Sequence, residues 1–265
     1  MRINLILKVE IVCFALFLSN PLRAQINKII YEITARNLSL KDVDSYPQKL
    51  ILVHKDSSTY RITLSTFAPY DDIEMRKIAQ KDKYIRNYSY SDSINLFLKP
   101  TALTNCDLPE IKFIADSILN HGDTLSLEVI ARFLKYSSRC ITYDNELAQK
   151  LDKGESTTLN VETILKRKKG TCSEYSNMFI SLMRAAKIPC RMVVGYIFMP
   201  DKKFEGSHAW AECYIKEYGW LAVDPQNGFY WYPNSAIKLF TGRDFIDCNI
   251  KILPDIYPIK VKILE

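Results

Sequence analysis

The stretch Lys168-Lys169-Gly170-Thr171-Cys172-Ser173-Glu174-Tyr175 constrains this chain more than any other. A glycine leads into a cysteine. After it the apolar residues Tyr175, Met178, Phe179, Leu182, Met183 and Ala186 recur at helical spacing. Cys172 is therefore expected at the N-terminus of an amphipathic helix, where unpaired N–H groups and the helix dipole favour an anion. A thiol there, with lysines just upstream, ionises more readily than a free one, whose pKa is ~8.5. That describes an activated nucleophile. A small buried cysteine capping a core helix has the same local pattern, and the stretch alone leaves both readings open.

Residues 1–24 have the layout of a secretory signal peptide. Arg2 and Lys8 give a basic start, with Glu10 as its exception, and Ile11 to Leu18 form an apolar core. Leu22-Arg23-Ala24 ends on a small residue suited to cleavage before Gln25. The apolar run falls short of the ~20 residues a membrane span needs. Glu10, Ile11 and Val12 before Cys13 are not a lipid-attachment pattern. The expectation is an exported protein, periplasmic or extracellular, with no stable membrane span after processing.

Losing Arg2, Lys8, Glu10 and Arg23 lowers the net charge from +6 to about +4, which is mild. The longest basic run, Lys166-Arg167-Lys168-Lys169, adjoins Cys172, so it is read as local chemistry that keeps the sulfur ionised, and no nucleic-acid partner is expected. Cys106, Cys140, Cys172, Cys190, Cys213 and Cys248 remain after processing. If Cys172 stays free, at least one of the other five is unpaired. Cys190 and Cys213 lie in apolar strand-like runs and read as core residues rather than a bridge. With no CxxC and only three histidines, no metal site is expected, and no cofactor.

The order of patterns gives an α+β fold. Residues 25–100 read as a β-rich N-terminal region: Tyr31 and Ile33, then Leu50 to Val53, then Tyr60, Ile62 and Leu64, then Ile94, Leu96 and Leu98 before Pro100. Asp71 to Lys83 is a loop or short helix. Residues 101–250 read as the core. Asp107 caps a helix through Ile111 and Ile118, and Thr124 or Ser126 starts a second through Leu134. A polar loop follows, from Asp152 to Thr158. A short helix through Val161 and Leu165 then delivers the chain to Gly170, and the Cys172 helix runs to about Lys187 before Pro189. Strands follow at Arg191 to Met199, His208 to Ile215 and Trp220 to Val223. Residues 251–265 form a tail whose alternating Ile, Val and Leu, broken by Pro254 and Pro258, allow an edge strand.

His208 is the only histidine after Cys172, and it opens a strand; Asp224 closes the next. A turn centred on Lys216, with Gly219 in a bulge, sets Asp224 opposite His208 at roughly 5 Å between Cα atoms. A turn centred on Tyr218 sets Asp224 opposite Glu212, with His208 roughly 13 Å away. The first register is preferred because it makes a triad. Cys172 would be the nucleophile, His208 would take its proton and return one to the leaving amine, and Asp224 would orient the ring. The Cys172 N–H would serve the oxyanion.

These residues resemble the core motif of the transglutaminase-like superfamily. The resemblance lies in Gly170-Thr171-Cys172-Ser173-Glu174-Tyr175, in Leu182 to Arg191, in Gly195-Tyr196, in His208-Ala209-Trp210-Ala211-Glu212 and in Gly219 to Pro225. It extends to the lead-in Ile141 to Asp144 and to Thr241-Gly242-Arg243-Asp244. It implies a papain-like cysteine fold, with helices packed on an antiparallel sheet, and an acyl-enzyme mechanism with Cys172, His208 and Asp224 as the triad. Tyr143 stands where relatives often place an aromatic near the oxyanion, although a core tyrosine would look the same. Lys187 replaces the usual glycine before Ile-Pro, which puts the helix end in question. No calcium-binding loop is readable.

The expected reaction is attack on a peptide or protein amide to give a thioester. Water then makes a peptidase or amidase, the preferred outcome. An amine makes a protein-glutamine transamidase. A non-catalytic binding or assembly module is the alternative from another class.

Overall fold

The computed structural model describes residues 28–36, 40–57, 59–67, 73–119, 125–153, 157–197, 206–230, 236–250 and 257–264. The signal-peptide reading of residues 1–24 lies outside them. The N-terminal elements are β1 (Lys28–Arg36), α1 (Leu40–Val43), β2 (Gln48–Asp56), β3 (Thr59–Phe67), α2 (Ile73–Lys81) and α3 (Asp92–Asn95), which runs into a 3-10 turn at Leu96–Leu98. Next come α4 (Pro109–Leu119), α5 (Ser126–Cys140), β4 (Thr142–Tyr143), α6 (Asn145–Asp152), α7 (Val161–Arg167), β5 (Lys169–Gly170) and α8 (Cys172–Ala185). The chain ends in β6 (Cys190–Ile197), β7 (Gly206–Ile215), β8 (Gly219–Asp224), β9 (Phe229–Tyr230), β10 (Ala236–Gly242) and β11 (Tyr257–Leu264).

An antiparallel sheet in the order β11-β1-β3-β2 holds the N-terminal strands. Its buried face follows from period-two alternation: Tyr31 pairs with Leu64 and Ile33 with Ile62, and all four are buried. β11 is an edge strand, with Pro258 opposite Ile33 beside a bulge. An edge or a bulge is where a sheet accepts proline. The segment around Ile94, Leu96 and Leu98, read as strand, is helical instead. Among the described residues it pairs with no strand, and its N–H groups close local turns such as Lys99 N to Leu96 O at 3.3 Å. Asp107 does not cap α4; its carboxylate pairs with Lys112 at 2.9 Å, and Pro109 opens the helix. The residues after Asp144 form the helix α6, which Asp144 caps and which ends where the loop read from Asp152 to Thr158 begins.

The second sheet, β10-β6-β7-β8-β9, is antiparallel throughout and packs against α8. Every residue of α8 after Cys172 is buried, with α4, α5 and α7 against its other sides. Its far end is tied by Arg184, fully buried, which donates to the carbonyls of Cys190, Lys99 and Arg243 and to Thr104 Oγ1. Lys187 does what the absent glycine would do. It takes φ +64°, and Ile188 N reaches Met183 O at 2.9 Å while Lys187 N reaches Arg184 O at 2.9 Å, a Schellman closure.

The two sheets are joined at β10. The Gln48 amide accepts from Lys238 N at 2.9 Å and donates to Lys238 O at 2.7 Å, so it pairs both backbone groups of one residue of the edge strand. The Lys238 ammonium meets Glu212 at 2.8 Å inside the sheet, and Arg191 meets the other Glu212 oxygen at 2.6 Å. Burial alone would raise the Glu212 carboxyl, but the two cations hold it below the usual range.

Candidate active site

Cys172 is the first residue of α8, and Thr171 is the N-cap. The helix start is fixed by Glu174, which is fully buried. Its Oε2 accepts from the Thr171 N–H and hydroxyl, each at 2.7 Å, and its Oε1 accepts from Thr158 Oγ1 and Leu159 N, each at 2.8 Å. Gly170 is needed because a Cβ there would lie 2.7 Å from Glu174 Cγ. Further along, Tyr175 donates to Ile141 O at 2.7 Å. That bond ties α8 to the segment whose strand β4 runs parallel to β5, with Tyr143 level with Gly170. Cys172 alone in α8 is only partly buried.

The basic run upstream is engaged differently from the sequence expectation. Lys166 pairs with Glu162 at 3.1 Å and Arg167 with Asp144 at 3.0 Å, while Lys168 closes α7 in the left-handed region. At least two of its four cations therefore serve local helix ends rather than the sulfur. Tyr143 is 43% exposed and so is not a core residue. Partial burial, then negative charge at Cys172, pushes its hydroxyl up.

His208 and Asp224 come together across β7 and β8, but in neither register read from the sequence. The ladder pairs Ile215 with Gly219 and Ala211 with Val223, which brings Asp224 level with Trp210. The cause is a three-residue turn at 216–218, with Gly219 at φ +95° taking the left-handed position. His208 is then a diagonal neighbour of Asp224 on the same face, within reach of a long side chain. The ring spans the gap: His208 Nε2 lies 3.1 Å from Asp224 Oδ2. The imidazole also hydrogen-bonds the Cys172 side chain. On its other flank the ring stacks on buried Trp210, at 6.4 Å between centroids and 20° between planes. Opposite His208 stands Gly195, where a Cβ would come within 2.8 Å of Trp210.

Burial works against the His208 imidazolium, yet the hydrogen bonds to Asp224 and Cys172, with the charge on each, outweigh it and push its pKa up to about 10. Burial likewise works against the Asp224 carboxylate, and His208 and Asn227 together hold it below the usual range. Asn227, which the sequence reading did not single out, donates from Nδ2 to Asp224 Oδ2 at 2.8 Å. Gln226 N and Asn227 N donate to Oδ1 at 3.0 and 3.2 Å. The signal was present as Asp224-Pro225-Gln226-Asn227, a run of turn residues.

Cys106, Cys140, Cys172, Cys190, Cys213 and Cys248 are free thiols. Cys190 and Cys213 face each other across β6 and β7, 3.7 Å apart at sulfur and both buried. Burial pushes the Cys140 thiol up to about 11 and those of Cys213 and Cys248 up further, which leaves them poor nucleophiles. No helix among the described residues is long and apolar enough to cross a membrane.

Residues 112–225 match the family model of the transglutaminase-like superfamily. The crystal structure of a candidate cysteine protease from Cytophaga hutchinsonii superposes with a TM-score of 0.57 at 17% identity, covering 90% of this chain and 87% of that one. The uncharacterised protein YebA of Bacillus subtilis is 25% identical over 188 residues, which are 66% of this chain and 24% of that protein. A protein-glutamine gamma-glutamyltransferase of Pseudomonas aeruginosa is 37% identical over 65 residues, 21% of this chain and 10% of that protein. The chain thus spans a quarter or less of these two relatives. Residues 112–225, which include the helix that Cys172 opens and the strands that carry His208 and Asp224, are similar to the transglutaminase-like superfamily.

Proposed function

We propose that this protein is a thiol acyltransferase that cleaves a peptide or protein amide through a thioester on Cys172, with water as the final acceptor. The observation that carries the reading is the His208–Asp224 contact at 3.1 Å, with the same ring bonded to the cysteine at the start of α8. With Nε2 held by Asp224, Nδ1 is the ring nitrogen left for the sulfur. At neutral pH the His208 ring, with its pKa pushed up to about 10, carries a proton.

The steps follow from that. The Cys172 sulfur attacks the amide carbon, a C–S bond forms and the carbonyl π pair moves onto oxygen. As the first helical residue, Cys172 has an N–H with no intrahelical acceptor, and this N–H donates to the oxyanion. The exposed Tyr143 is the candidate second donor. Collapse breaks the C–N bond, and the His208 proton goes to the departing nitrogen. Water then attacks the thioester, gives its proton to neutral His208, and collapse returns the sulfur and releases the acid. Asp224 orients the ring and stabilises its charged form throughout.

Transamidation is the second reading, and the match to a protein-glutamine gamma-glutamyltransferase is the observation that favours it. The two separate in one assay. The protein is incubated with a glutamine-containing peptide and a labelled primary amine, and the products are followed by mass spectrometry. Hydrolysis gives the free acid with ammonia release. Accumulation of the amine adduct alone sinks the preference for water. A Cys172→Ala protein that keeps full biological activity would instead favour a non-catalytic module. Residues 1–24 fit a cleaved export signal, so the site of action in this reading is periplasmic or extracellular. N-terminal sequencing of the secreted protein tests that, with Gln25 as the expected first residue.

A further inference from the structure

Asp224 uses its two oxygens unequally. Oδ1 is held by two backbone N–H groups of its own turn, at 3.0 and 3.2 Å. Oδ2 serves His208 at 3.1 Å and the Asn227 side-chain amide at 2.8 Å. The two donors on Oδ1 hold the carboxylate plane from one side, and the Asn227 amide holds it at the oxygen that faces His208. It also takes up part of the Oδ2 charge, which would otherwise fall wholly on the imidazole. Asn227 itself is exposed. The turn can form without its amide, since the backbone donors and the Gly228 N to Asp224 O bond at 2.8 Å remain.

We infer that Asn227 is a positioning residue. Its amide aims Asp224 Oδ2 at His208 and shares that oxygen, so that the imidazolium can still release its proton to a leaving group. The inference rests on the proposed function, since it acts through Asp224 and His208. The titratable groups that face this bond are His208 from β7, Asp224 itself and Cys172 from α8. A hydrogen bond to a charged group is strong enough to matter, and losing one oriented donor from a catalytic chain costs on the order of tenfold in rate.

The test uses the full-length protein and iodoacetamide, a neutral thiol reagent, with the alkylation rate of Cys172 measured from pH 5 to 10. Asn227→Ala is expected to leave the neutral-pH rate close to that of the unsubstituted protein, since iodide departs without a proton from His208. Its alkaline limb moves to higher pH by about one unit, because an unshared Oδ2 holds the imidazolium proton longer. Asn227→Asp puts a second carboxylate against Oδ2 and moves that limb further in the same direction. Asn227→Ser keeps a short donor and brings the limb part of the way back. It also stands in if the alanine protein melts early. If the pH profiles of Asn227→Ala and Asn227→Asp match that of the unsubstituted protein while His208→Ala is slow, Asn227 positions nothing. Should His208→Ala alkylate as fast as the unsubstituted protein, the proposed triad fails, and the role of Asn227 fails with it.

Discussion

Asp224→Asn probes the site at nearly constant volume. The His208 ring loses its nearest negative charge while burial, which opposes its protonation, stays as it was. What holds the ring at about 10 is the bond to Asp224, the bond to Cys172 and the charge on both. A neighbouring opposite charge moves a titration by about 1–3 pH units, so the ring of the variant is expected to titrate at about 7–9. That corresponds to about 1.4–4 kcal/mol of lost preference for the imidazolium. The assay is proton NMR of the imidazole C–H signals. The chain has three histidines, His54, His121 and His208, so His54→Gln and His121→Gln assign the remaining resonance. A ring that titrates near 6.5 in the unsubstituted protein refutes the reasoning at its base. A variant ring that titrates where the unsubstituted one does refutes the part given to Asp224.

The same pair ties stability to pH. His208 has its pKa raised from 6.5 to about 10 by folding, so its contribution is complete below pH 6.5 and is lost as pH rises through 10. Asp224 is shifted below 3.8, so its contribution is complete above pH 3.8 and is lost as pH falls through the lower folded value. Urea midpoints should show a protein weaker at pH 9 than at pH 6 by on the order of 2–3 kcal/mol, a difference that His208→Ala removes. Lys187→Gly relieves a left-handed lysine at φ +64° and should gain about 0.5–1 kcal/mol in the same assay; a loss of stability would contradict the Schellman assignment. Gly170→Ala sets a Cβ against the Glu174 side chain and should cost about 1–3 kcal/mol and slow Cys172 labelling. Glu212→Gln leaves Lys238 and Arg191 without their shared carboxylate and should cost about 3–5 kcal/mol, with part recovered when Lys238→Met is added.

Much of the core could be read from local pattern, and the N-terminal half less so. The Cys172 helix was legible because one face repeats over four turns and a glycine precedes it. Strands β6, β7 and β8 were legible because their β-branched and aromatic runs end at Pro189, Gly219 and Pro225. The pairing of β11 with β1 was not, because partners more than 200 residues apart leave no local mark on either strand. Nor was the helical turn at Asp92–Leu98, where three apolar residues at even spacing imitate a strand, yet no neighbour supplies a ladder. The role of Gln48 was hidden for a similar reason. A single amide that pairs the backbone of Lys238 has no periodicity to betray it.

The His208–Asp224 contact survived a wrong register, and the reason is geometric. The two registers read from sequence differ from the observed one by two residues in opposite directions. Side chains alternate with period two, so all three keep His208 and Asp224 on the same face of the sheet. A slip of one residue would have sent Asp224 to the far side. A slip of two only turns a direct neighbour into a diagonal one, which an imidazole can reach. The parity of the hairpin was therefore the quantity that mattered, and it is set by which residues of β7 and β8 join the main core and which join the small cluster with Trp210 and Ala222. In β8, Leu221 and Val223 are fully buried against the core, which fixes the face that Asp224 shares with Ala222. Burial chose the face and the three-residue turn chose the diagonal, while Asn227 donates to the same Asp224 oxygen that the diagonal presents to His208.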